Sequence, residues 1–181
     1  MGCGGPWQCQ SRRFLASVGT ARRIVILGSA GSGKTALARR MGEHTNLPVV
    51  CLDEMRGRLP RDPDWSIFRS MLVDAHADDG WISDGNFAQV SFDIRLPRAE
   101  LIIWLEPPKI LCAWRACKRV LRRGEAHRLR ELPQVLAFIW NFDHINRPII
   151  EAERLAHGAH VPVVHLASGS TTADLAGLTR H

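Results

Sequence analysis

Gly28-Ser29-Ala30-Gly31-Ser32-Gly33-Lys34-Thr35 fits the pattern G-x-x-x-x-G-K-[ST] without a gap. Such a loop works between a buried strand and the first turn of a helix. Ile24 to Leu27 is a short, β-branched apolar run that supplies the strand. Lys34 to Thr45 carries Leu37, Ala38 and Met41 at helical spacing and ends on Asn46 and Pro48, which supplies the helix. The glycines let backbone N–H groups converge on phosphate oxygens. The helix start adds the positive end of its dipole. The Lys34 ammonium can reach the β- and γ-phosphates, and the Thr35 hydroxyl can ligate Mg²⁺. The loop therefore predicts bound ATP with Mg²⁺, gripped by Gly28, Ser29, Ala30, Gly31, Ser32, Gly33, Lys34 and Thr35.

The rest of the chain continues the alternation. Val49 to Leu52 reads as a second strand ending at Asp53, followed by a loop over residues 54–63. Asp62-Pro63 predicts an N-cap and first-turn proline for a helix with Trp65, Phe68, Leu72 and Ala75 on one face, closed by Gly80. Trp81 to Ser83 and Leu101 to Leu105 read as the third and fourth strands. A helix from about Pro108 to Arg123 follows, with Leu111, Trp114 and Leu121 as its expected core. A longer one from about Pro133 to His157 presents Val135, Leu136, Ile139 and Trp140, and Pro148 is expected to bend it. Val161 to Leu166 is the fifth strand. Strands alternating with helices predict an α/β, doubly wound, five-stranded parallel sheet. Ligands of such sheets bind along the carboxyl edge, where Asp53, Asp84 and Glu106 fall. Residues 1–21 read as a loose extension, 22–167 as one domain and 168–181 as a flexible tail.

The 181 residues carry a formal net charge of +6, and the charge is uneven. Lys109 to Arg130 contains eight basic side chains and one acid, Glu125. Such a cluster points to an anionic partner. Five cysteines without zinc-ligand spacing read as reduced thiols of a cytoplasmic protein. No apolar run is long enough for a membrane span. Histidines are scattered, and five of the tryptophans are spaced like core or cleft-wall residues.

An N-K-x-D guanine motif is absent, which argues against a Ras-type GTPase, and the chain is short for an AAA-type motor. A small phosphotransferase with a short lid fits best. Asp84 is the candidate metal carboxylate beside Thr35. Arg115, Arg119, Arg122 and Arg123 share roughly one helix face, and a polar excursion follows, so residues of about 119–132 read as the lid. An arginine placed on the transferring phosphoryl group contributes ~10³–10⁵ in rate.

G-S-A-G-S-G-K-T, Leu52-Asp53, W-I-S-D-G-N-F, A-E-L-I-I-W-L-E-P-P, C-A-W-R-A-C-K-R-V-L-R-R and W-N-F-x-x-I-N-R-P occur here in that order. Over about residues 22 to 167 this resembles the FlaR-type "DNA topology modulation" proteins, adenylate-kinase-like P-loop proteins. The resemblance implies a nucleoside monophosphate kinase-like fold with a short lid. It implies that Asp84-Gly85 is the step after strand three, that Arg119 and Arg123 are phosphate-contacting lid arginines, and that Arg95 faces the acceptor. Arg147 is a further lid or acceptor arginine on the same grounds. The sequence departs from the family at Glu106, where Asp is usual, and lacks the arginine of the adenylate-kinase D-G-F-P-R run, having Asn86-Phe87.

The acceptor stays open between two chemistries. A hydroxyl acceptor benefits from a carboxylate that takes its proton, and Asp53 resembles the acceptor-binding aspartate of shikimate- and gluconate-type kinases. A phosphorylated acceptor prefers arginines such as Arg95. The basic excess leans toward a small, nucleotide-like acceptor. The alternative is an ATP-binding regulatory protein that contacts nucleic acid through residues 109–130.

Overall fold

The computed structural model describes residues 20–60, 64–123 and 126–167, and not the side chains of residues 122, 123 and 126–129. The expected tail, the expected extension apart from Thr20 and Ala21, Asp62-Pro63 and Gly124 lie outside the described residues.

Five strands form one parallel sheet: β1 (Arg23–Gly28), β2 (Val49–Cys51), β3 (Trp81–Asp84), β4 (Leu101–Leu105) and β5 (Val163–Leu166), in the order β2-β3-β1-β4-β5. β1 lies in the middle, and its residues Ile24 to Leu27 are fully buried. Strand side chains alternate between faces, and two apolar clusters follow that alternation. Ile24 and Ile26 pack with Leu37, Ala38 and Met41 of helix α1 (Lys34–Thr45). Val25 and Leu27 pack with Phe68 and Leu72 of α3 (Trp65–Ala75), Phe92 of α4 (Ala88–Arg95) and Ile150 of α7 (Arg147–Gly158). Helices therefore cover both faces, as expected of a doubly wound sheet. No helix among the described residues is long and apolar enough to cross a membrane.

Register sets the carboxyl edge. Cys51 and Ile26 both pair with Asp84, and Gly28 pairs with Leu105. The phosphate loop thus leaves the sheet next to the ends of β3 and β4.

Several local expectations are corrected. Residues Leu52–Gly57 form a short helix, α2, rather than the end of a strand and a loop. Leu52 and Met55 bury one face of it, and Asp53 and Glu54 lie in its first turn, where the helix dipole favours acids. Asp64, not Asp62, caps α3 by accepting from the Ser66 N–H, and α3 ends at Ala75 rather than Gly80. Helix α4, unforeseen, fills the interval after β3 by burying Ala88, Ser91, Phe92 and Arg95.

Helix α5 (Lys109–Arg123) buries Cys112, Ala116 and Val120, while Trp114 and Leu121 are 56% and 72% exposed. Small side chains win that face because α5 lies close against the phosphate loop. The expected polar excursion is helical from Ala126, where α6 (Ala126–Asn141) begins. Pro133 is inside α6 rather than at its start. A π-helical turn, Phe142–Asn146, separates α6 from α7, so Pro148 opens a helix instead of bending one. Of the tryptophans assigned to core or cleft, Trp81 and Trp104 are buried, whereas Trp65, Trp114 and Trp140 are exposed.

Phe68 is fully buried and its ring meets both Trp65 and Phe87. Phe68→Ala is expected to cost about 3–5 kcal/mol, read as a lower urea midpoint with an unchanged slope.

Candidate active site

The phosphate loop is shaped by positive φ. Gly31 has φ +74°, and a Cβ there would lie 2.3 Å from the Cys112 carbonyl oxygen. Gly33 has φ +102° and caps α1 without any side-chain hydrogen bond, so the first N–H groups of α1 face the loop's hollow. The hydroxyls of Ser29 and Ser32 are enclosed with no partner among the described residues. These orphaned donors and bare amides fit a bound phosphate chain. The Lys34 ammonium donates to the Ser29 carbonyl at 3.0 Å. Burial lowers its pKa, while Asp84 and Asp53 pull the other way and Arg119 adds to the lowering.

Thr35 and Asp84 meet as the sequence requires. Thr35 Oγ1 donates to Asp84 Oδ2 at 2.5 Å. Asp84 is nearly sealed, and its Oδ1 has no partner among the described residues. Burial raises its pKa, opposed by the Thr35 hydroxyl and Lys34. Mg²⁺ takes oxygen ligands, so an enclosed, unpartnered carboxylate oxygen beside a hydroxyl fits it.

Asp53, in the first turn of α2, is exposed and close enough to Lys34 and Asp84 to influence both.

Arg95 does not face an acceptor. It is fully buried. Nη1 donates to Ser83 Oγ at 3.0 Å, and Nη2 donates to the carbonyls of Gly85 and Asn86 at 3.0 and 2.7 Å. Burial pulls its pKa down to about 9, so it stays charged near neutrality. Asn86, passed over as a departure from the adenylate-kinase pattern, uses this support. Its amide accepts from the Gly28 N–H at 3.2 Å and donates to the Gly28 carbonyl at 3.0 Å. Arg95 thus positions the turn after β3, and Asn86 ties that turn to the start of the phosphate loop. Asn86 and the D-G step are contiguous in sequence, and that adjacency was the available signal.

The lid arginines divide differently from expectation. Arg115, a member of the basic face but not of the expected site, donates to the Ser32 carbonyl at 3.1 Å. Arg119 is exposed near Lys34. Arg123 ends α5, and its side chain lies outside the described residues. Arg147 is ion-paired with Glu106 and Asp143 and lies 5.4 Å from the Trp104 ring centroid. It lines a cleft of about 300 Å³ beside Ser29, together with Glu106, Lys109, Cys112 and Asp143.

No family model matches this chain, and no curated protein matches it. Solved structures do. The chain is similar to shikimate kinase from Acinetobacter baumannii in complex with shikimate, with TM-score 0.53 and 17% identity, covering 92% of this chain and 93% of that one. It is also similar to shikimate kinase from Bacteroides thetaiotaomicron, with TM-score 0.51 and 18% identity over 89% and 95% of the two chains. The chain shares its fold with these two structures.

Two outcomes follow. Asn86→Ala leaves both polar groups of Gly28 without their partner and is expected to cost about 1–3 kcal/mol, with weaker ADP binding by calorimetry. His76, bonded to Leu72 O and Ser83 Oγ, is held at about pKa 4 chiefly by burial. Below the ordinary value of 6.5 the unfolded chain takes up a proton that the native one refuses. This contribution is whole above pH 6.5 and fades as pH falls toward 4. A urea-midpoint series across that window should be shallower in His76→Gln than in the wild type.

Proposed function

We propose that this protein is an ATP-dependent phosphotransferase that moves the γ-phosphoryl group of MgATP to a hydroxyl of a small molecule. The observation that carries this is the convergence of three groups at the carboxyl edge: the Lys34 ammonium, the Thr35–Asp84 pair and the exposed Asp53 carboxylate. The phosphate loop and Lys34 hold the triphosphate. Thr35 and Asp84 hold Mg²⁺, which neutralises phosphate charge when bound. Asp53 orients the acceptor hydroxyl and takes its proton as the phosphoryl group arrives. Arg115 braces the loop, and Arg119, exposed near Lys34, is the arginine that meets the transferring group.

A phosphorylated, nucleotide-like acceptor was the sequence's leaning. It is the weaker reading, because the arginine assigned to it, Arg95, is spent on carbonyl oxygens. The FlaR-type assignment rests on the sequence motifs. A nucleic-acid contact through residues 109–130 is weaker again. Lys109 is paired with Asp143 and Arg115 donates to the Ser32 carbonyl, so two cations of the stretch are already engaged within the fold.

The test is ADP release from MgATP over neutral polyols, hydroxy acids and nucleoside monophosphates. Acceptor-dependent release is expected with a hydroxyl compound. Asp53→Asn should lower kcat/KM by ~10²–10⁴ while ADP still binds, and Lys34→Ala should lower it by ~10²–10³. Release driven only by a monophosphate and indifferent to Asp53→Asn would overturn the hydroxyl reading.

A further inference from the structure

The cleft of about 300 Å³ beside Ser29 carries four charged side chains in its wall, and their charges cancel. Glu106 accepts from Arg147, Asp143 pairs with Lys109 at 2.8 Å, and a second nitrogen of Arg147 lies 3.7 Å from Asp143. All four are half-buried rather than sealed. Trp104 also lines the cleft, and its enclosed indole N–H has no partner among the described residues. Ser29 joins the cleft to the phosphate loop, because its carbonyl accepts from Lys34 Nζ at 3.0 Å. Such a wall selects by charge. An anionic ligand would face Glu106 and Asp143, a cationic one Arg147 and Lys109, and either would have to break an ion pair to gain a partner. A hydroxyl both donates and accepts, so it can bond to a carboxylate and a guanidinium that stay paired. The volume is at the lower bound of ligand pockets, which suits a single ring rather than a nucleotide.

We propose that this cleft holds the phosphoryl acceptor, and that the acceptor is a neutral polyhydroxylated ring of monosaccharide or cyclitol size. Glu106 and Asp143 accept from its hydroxyls, Arg147 and Lys109 donate to them, and a ring oxygen substituent supplies the acceptor that the Trp104 N–H lacks. One further hydroxyl, at the Ser29 end, attacks the γ-phosphorus of ATP. The new P–O bond forms as the bond to ADP breaks, and the hydroxyl proton passes to Asp53. The inference rests on the hydroxyl-transfer reading and names its substrate class.

The test reads kcat/KM for ADP release from MgATP by the full chain. Neutral hexoses, pentoses and cyclitols are compared with the anion D-gluconate, the cation D-glucosamine and nucleoside monophosphates. A neutral compound is expected to exceed both charged sugars by ~10-fold or more. Glu106→Gln leaves the cleft with one excess positive charge and should shift preference toward gluconate by ~10-fold relative to the neutral compound. Asp143→Asn, on a different element, should shift it the same way, and MgADP binding by calorimetry reports that each variant is folded. A charged sugar preferred by the wild type, no response to any neutral compound, or a preference unmoved in both variants overturns the inference. Release with gluconate that is lost in Asp53→Asn leaves hydroxyl transfer standing without it. Release with a nucleoside monophosphate alone overturns both.

Discussion

A guanidinium sealed in a protein interior calls for oxygen acceptors, and the two terminal nitrogens of Arg95 find three, none of them a carboxylate, while its Nε has no partner among the described residues. Arg95 gathers Ser83 Oγ and the carbonyls of Gly85 and Asn86. Those residues are the end of β3 and the turn that leaves it. The turn is thereby fixed, and Asn86 passes the constraint to Gly28 through two amide hydrogen bonds. Asp84, immediately before the turn, is held where Thr35 and Cys51 reach it. The geometry of the carboxyl edge depends on a charge that never reaches the surface of that edge.

The same edge shows how electrostatics divides the work. Lys34 loses basicity to burial, and Asp84 loses acidity to burial, yet each is partly restored by the other. Their mutual attraction keeps both poised in a region poor in water. Asp53, more open, adds negative charge near both. On the far side of the loop, Arg147 and Lys109 are balanced by Glu106 and Asp143. The basic excess in the sequence is therefore not a uniform field at the site.

Much of this was legible in the residues. The five strands, the α1 helix and the Thr35–Asp84 meeting follow from β-branched runs, glycine spacing and strand ends. The misreadings have a common physical origin. On α5, large apolar residues were expected inside, but the close approach of the Cys112 backbone to Gly31 favours Cys112 and Ala116. Arg95 was assigned to the acceptor by the family resemblance. Its burial depends on carbonyls presented by a turn, which no side-chain pattern encodes. Arg115 carried the right helical phase but nothing to distinguish it from its basic neighbours.

The strand order has a consequence for how the chain assembles. β1 is made early, but both of its neighbours come later: β3 begins at Trp81 and β4 at Leu101. Contacts of such separation cost loop-closure entropy before they return anything. The phosphate loop therefore exists as a sequence long before it exists as a shape. Gly28 cannot be bracketed until Asn86 has left the ribosome, and the turn carrying Asn86 is not secured until Arg95 is enclosed. A chain arrested before residue 101 would leave the β4 edge of β1 exposed, open to chaperones or to other strands.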